Sequence, residues 1–258
     1  MTDIWRTFIL LLFYFNFCHY PIPFVQGVID PSLLVNAAYY TTNGRGDDCM
    51  QLAQTRGSYD AVFSLGSNCY AANKLAIHQL RHYSGVLDWM VSPSLPGVSK
   101  LLRNRFAGFM ELPHMSVIGT HAGGLNFLIR DNEYNIMSAH DFPVAYNQLD
   151  HWASYPSFKE KVNRRILRFF EKMECSQRIL LLRLGGTYEE ALELQAELRA
   201  IVKNQFHVLL VNHTSNYGVL ECHWPLEHIC AIEAPLDGEA NTDLWNYIFA
   251  GVQHISFP

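Results

Sequence analysis

The sequence predicts a single α/β domain with a mainly parallel central sheet flanked by helices, running from about Tyr59 to residue 258. Three observations carry this. In the second half, apolar runs of strand length alternate with amphipathic helical stretches, the pattern of parallel strands joined by helical crossovers. Ahead of them a short apolar strand, Ala61 to Leu65, stops at Gly66 and gives way to a helix from about Cys69. The chain is 49% hydrophobic and 17% charged over 258 residues, against a usual charged share of about 25%, so a large core can be buried.

Each segment has its own signal. Arg6, the apolar run Phe8 to Phe17, the breakers His19, Pro21 and Pro23, and the triplet Val25-Gln26-Gly27 form the layout of a secretory signal peptide over residues 1–27. The run falls well short of the ~20 residues a spanning helix needs. A cleaved signal and a lumenal or secreted protein are therefore expected, with an uncleaved membrane anchor as the alternative. Residues 28–58 lack sustained periodicity and read as an arm. The helix from Cys69 extends to about Arg81, and Pro96 suits the start of another ending near Arg105. Asn126 to Ile129 and Tyr134 to Ala139 look like strands. Ser157 with Glu160, and Thr187 with Glu190, fit capping boxes opening helices to about Met173 and Val202. Ile179 to Leu182 and Val208 to Val211 are strands, and Leu244 to Phe249 a closing helix.

Charge and cysteines narrow the function. A net charge of −5 gives no basic footprint for nucleic acid. Cys18 would leave with the signal. Of the remaining five, Cys49, Cys175, Cys222 and Cys230 would form two disulfides in an oxidising compartment, with Cys222–Cys230 the most plausible pair, and Cys69 would be left over. Asn212-His213-Thr214 is a glycosylation sequon. Neither Cys-x-x-Cys nor His-Glu-x-x-His is present, so no metal site is expected. Cys69 itself sits where a strand turns into a helix. Helix N-terminal N–H groups favour a thiolate and would cradle the oxyanion formed when it attacks a carbonyl. The bland reading of Cys69 is a thiol packed under the helix.

Four blocks occur in order: Ser64-Leu65-Gly66-Ser67-Asn68-Cys69, Leu87-Asp88-Trp89, His140-Asp141-Phe142 and Arg164-Arg165-Ile166-Leu167-Arg168-Phe169. Together they resemble the recurring blocks of the domain family described as putative papain-like cysteine peptidases, over about Tyr59 to Arg183. The resemblance implies a cysteine-dependent hydrolase acting on a peptide or other amide-containing substrate without a cofactor, with Cys69 as nucleophile and His140 as base. His140 also follows an apparent strand, where catalytic groups often project; His78, His82, His114 and His121 are its rivals. Asp88 and Asp141 rank level as the group that orients the imidazole, with Asn212 a third candidate. Their ordinary alternative is pairing with Arg164, Arg165, Arg168 or Arg183, which read as one solvated helix face plus an ion-pair partner. The glutamine of papain's oxyanion hole has no counterpart, so Ser64, Ser67, Asn68 or backbone N–H groups would replace it. A papain-like α+β fold is the alternative architecture. A thiol-dependent acyl or amide transferase and a non-catalytic lumenal binding protein remain open as functions.

Overall fold

The structure is a computed structural model describing residues 49–236 and 242–255. The expected signal peptide, Cys18 and the arm up to residue 48 lie outside the described residues. The compact unit starts at Cys49, ten residues ahead of Tyr59. Met50 and Leu52 are buried in it, and Leu52–Thr55 forms one 3-10 turn.

In chain order the strands are β1 (Gly57–Tyr59), β2 (Ala61–Ser64), β3 (Met90–Val91), β4 (Met115–His121), β5 (Asn126–Asp131), β6 (Ile136–Ser138), β7 (Arg178–Leu184), β8 (Gln205–Thr214), β9 (Leu220–Glu221), β10 (Ile229–Pro235) and β11 (Val252–His254). The helices are α1 (Cys69–Ile77), α2 (Leu95–Arg103), α3 (Tyr155–Cys175), α4 (Tyr188–Ile201) and α5 (Thr242–Ile248). The central sheet has the order β2-β7-β8-β10-β9. Its first four strands are parallel and β9 is an antiparallel edge. β1 and β11 pair in parallel.

Side-chain alternation along these strands sorts the core into two layers. Phe63, Ile179, Leu181, Val208 and Leu210 face a cluster with Val98 and Leu102 of α2, Phe158 and Phe169 of α3, and Leu194 and Leu198 of α4. Val62, Leu180, Leu182, Leu209 and Val211 face the other way, onto Ala71 and Leu75 of α1 and Leu244 and Trp245 of α5. Helices therefore cover both faces of the sheet.

The expectation of a mainly parallel sheet holds for the central layer and fails for the middle of the chain. There β3, β6, β5 and β4 form a separate antiparallel sheet. β4, β5 and β6 are joined in succession by tight turns, at Ala122, Gly123 and Gly124 and at Asn135, all with positive φ. Turns that short can only reverse the chain, whereas parallel pairing needs a crossover. The fold is thus mixed α/β with several sheets.

The Thr187–Glu190 capping box is present. The Ser157–Glu160 box is not: α3 begins at Tyr155 behind Ser154, with a proline in its first two positions. Pro156 has its φ preset for the start of a helix, and Ser157 Oγ donates to Ser154 O instead.

The expected disulfides are also corrected. Cys49, Cys175, Cys222 and Cys230 are all free thiols. Cys230 lies inside β10, opposite β9, and the register of Ile232 with Glu221 sets Cys222 against Ala231, whose carbonyl accepts from Cys222 N at 2.9 Å. Neighbouring positions on paired strands point to opposite faces. Cys230 accordingly enters the α1/α5 layer while Cys222 packs against the other. Cys69, the thiol expected to be left over, is the one that is disulfide-bonded. The nucleophile role expected of Cys69 therefore requires that bond to be reduced first. No helix among the described residues is long and apolar enough to cross a membrane.

Candidate active site

α1 leaves β2 toward one face of the sheet and α4 leaves the adjacent β7 toward the other. Where the connections of neighbouring strands diverge in this way, the carboxyl ends are the usual ligand position in such sheets. Two glycine-bearing turns lie at those ends, Leu65 to Asn68 and Gly185 to Thr187.

The first turn is built tightly. Gly66 has φ +81°, and a Cβ there would lie 2.4 Å from Ser92 Oγ, so only glycine fits. Ser67 also takes a positive φ, 94°. Its N–H donates to Ser92 Oγ and its carbonyl accepts from Ser92 N, both at 2.9 Å. Ser64 Oγ accepts from Gly66 N at 3.0 Å. Asn68 caps α1, Oδ1 accepting from Tyr70 N at 2.9 Å. Cys69 follows as the first helical residue, half-buried. The side chains of Ser64 and Asn68, two of the expected substrate-side groups, thus shape the turn that presents Cys69. The helix is held from below, where Trp245 Nε1 donates to Tyr70 Oη at 3.2 Å.

The second turn is closed by Asn212, which sequence reading held only as a spare candidate. Its Oδ1 accepts from Gly186 N and its Nδ2 donates to Gly186 O, each at 3.0 Å.

Joining the two turns is Arg183, 1% exposed. Its Nη1 donates to Leu65 O (3.1 Å) and Ser92 Oγ (2.9 Å), Nη2 to Ser92 O (2.9 Å) and Nε to Gly185 O (3.2 Å). The sequence pattern suggests an ion-pair partner for Arg183. The structure corrects this, since the guanidinium is solvated by carbonyls and one hydroxyl. The available signal was a lone charge inside the apolar run Ile179 to Leu184. Burial pushes its pKa down to about 10, with Glu190 pulling the other way.

His140 stands two residues past β6. It keeps one side open to solvent and packs the other edge-on against His121, ring centres 5.0 Å apart. Desolvation first and then His121 lower its pKa below the usual histidine range, while Asp141 opposes them. A neutral imidazole at neutral pH can accept a proton. Asp141 accepts from Ser138 Oγ at 2.6 Å and pairs with Lys161. Asp88, 1% exposed, accepts through Oδ2 from Arg81 Nε at 2.6 Å and Gly85 N at 2.8 Å. Both carboxylates act on the partly buried Arg165.

The predicted residues therefore form two groups. In one, Asp88 is held by Arg81, Asp141 by Lys161, and His140 packs on His121, with both carboxylates acting on Arg165. Cys69, Ser64, Ser67 and Asn68 are ordered by Ser92 and Arg183. The segment from Leu87 to Ser92 serves both, since a Cβ on Gly66 would also touch Leu87 at 3.4 Å. Among the described residues no group of three or more His, Cys, Asp and Glu side chains is placed to hold a metal ion.

A family model described as "Putative papain-like cysteine peptidase" matches residues 60–216, which spans both groups. No curated protein and no solved structure matches the chain.

Proposed function

The chain belongs to the family described as putative papain-like cysteine peptidases, and from that premise we propose that it is a cysteine-dependent hydrolase of peptide or other amide bonds. The observation that carries the reading is the position of Cys69, first in α1 behind a glycine turn at the carboxyl end of β2. In the reduced protein its thiolate attacks the substrate carbonyl, and the first-turn N–H groups of α1 face the charge that develops. His140, neutral at rest, takes the Cys69 thiol proton as base, passes it as imidazolium to the leaving amine, and, neutral again, activates water to hydrolyse the thioester. Of the two carboxylates, Asp141 fills the orienting role, because it is the one that acts on the His140 ring. The N-terminal apolar segment supports placement in the secretory route.

The test labels reduced protein with a peptidyl chloromethyl ketone and maps the adduct by mass spectrometry, in wild type, Cys69→Ser and His140→Ala. An adduct on Cys69 that His140→Ala slows at pH 7 supports the assignment. Labelling only after denaturation removes the hydrolase reading, and equal rates in wild type and His140→Ala remove His140 from the site.

A further inference from the structure

We propose that Arg183 is the positioning residue of the Cys69 nucleophile, a buried cation that ties the turn before Cys69 to Ser92 and to the Gly185 turn. The proposal rests on the reading of Cys69 as nucleophile and assigns a residue that the four sequence blocks do not contain.

Arg183 sits on β7, the strand beside β2, and bonds a carbonyl in each of the two turns. Its guanidinium donates only to Leu65 O, Ser92 Oγ, Ser92 O and Gly185 O among the hydrogen bonds described for it. A buried cation is costly unless compensated. Here the compensation comes from dipoles, so its positive charge is not cancelled by a bonded carboxylate. The same Ser92 Oγ that accepts from Arg183 also accepts from Ser67 N, two residues before Cys69. Ser92 thus relays the position of the guanidinium into the turn that sets the direction of Cys69. Arginine suits this role better than lysine, because its planar fork reaches several acceptors at once and stays charged when buried. A thiolate forming at Cys69 gains from a fixed turn and from a positive charge carried on the strand paired with β2.

The experiment measures the pH dependence of Cys69 alkylation by iodoacetamide in fully reduced, folded protein, with Cys69→Ser as the blank. Variants are Arg183→Met, Arg183→Lys and Ser92→Ala, and folding is checked by circular dichroism. Arg183→Met is expected to raise the midpoint by about one pH unit, a roughly tenfold rate loss below it. Arg183→Lys should restore most of the midpoint despite lower stability, an outcome that purely structural support would not produce. Ser92→Ala leaves the charge in place and cuts the link to Ser67, so it should slow the pH-independent rate several-fold. A folded Arg183→Met with the wild-type profile overturns the proposal. If that variant does not fold, wild-type rate and midpoint in Ser92→Ala overturn it instead. Failure of the underlying reading looks different: wild-type Cys69 itself would titrate as an ordinary thiol, near pH 8.5, or react only when denatured.

Discussion

Asn212 holds Gly186 from both sides, Oδ1 accepting from the glycine N–H and Nδ2 donating to its carbonyl, each at 3.0 Å. A side-chain amide here imitates a neighbouring strand and satisfies a turn that would otherwise leave two backbone groups open. The amide nitrogen that a glycan on the Asn212-His213-Thr214 sequon would occupy is the one that makes this bond.

Asn212→Asp tests the arrangement with almost no change of shape. One carboxylate oxygen still accepts from Gly186 N, while the other meets Gly186 O, acceptor against acceptor. The expected cost is about 1–3 kcal/mol, read from urea unfolding at pH 7. Asn212→Asp unfolding at the wild-type urea concentration would show that the pairing contributes nothing.

Gly66 and Gly123 separate steric cost from backbone cost. Both have positive φ, +81° and +65°, but a Cβ on Gly66 meets Ser92 Oγ at 2.4 Å while one on Gly123 meets nothing within 4 Å. Gly123→Ala should therefore cost only the left-handed penalty, about 1–2 kcal/mol. Gly66→Ala adds displacement of Ser92, which is bonded to both Arg183 and Ser67, and should cost clearly more in the same denaturation assay. Equal losses would mean that Ser92 moves aside freely.

How far the sequence discloses this molecule differs between its layers. The parallel strands were readable because Ile179 to Leu182 and Val208 to Val211 are unbroken apolar runs bounded by capping signals, and Thr187 with Glu190 behaves as its spacing requires. β10 was hidden by its cysteine: Cys230 drew attention as a disulfide half when it is a small apolar side chain in a buried strand. β4 was hidden because its middle is exposed and contains Gly119, which erases alternation. At the candidate site, the place of Cys69 as first residue of α1 follows from the strand, glycine and helix order alone. Ser92 and Arg183 do not, because their role depends on contacts between residues 91 positions apart, and pattern within one segment carries no such information.

Acid should destabilise the protein in a definite window. His207 Nδ1 lies 2.9 Å from Tyr59 Oη, whose hydroxyl donates to Thr55 O at 2.6 Å, and 3.4 Å from Arg178 Nη2, so a proton added to the ring meets a cation. Burial first, then Arg178 and His228, push His207 down to about 4. Unfolded, it titrates near 6.5, so between those values the unfolded chain binds the extra proton. Its contribution is complete above about pH 6.5 and is lost as pH falls toward 4, up to about 3 kcal/mol. His207→Gln should flatten the fall of the urea midpoint over that window. A variant falling as steeply as wild type would place the acid sensitivity elsewhere.

The free thiols should differ in reactivity by location alone. Cys175, the last residue of α3, is exposed, and Cys49 is half-buried, with burial and then Glu221 pushing its thiol up. Cys222 is pushed up to about 11 by burial, Glu233 and Cys49, so at pH 8 only ~0.1% of it is thiolate. Cys230 is fully buried in β10, and burial raises its thiol most strongly of the group. Iodoacetamide at pH 8 without denaturant should therefore label Cys175 first, Cys49 next and Cys222 slowly, and should reach Cys230 only after unfolding. Peptide mapping over a time course reads that order directly. A peptide linking Cys222 to Cys230 in non-reduced digests would require β9 to leave β10, because in the paired strands the two side chains point to opposite faces of the sheet.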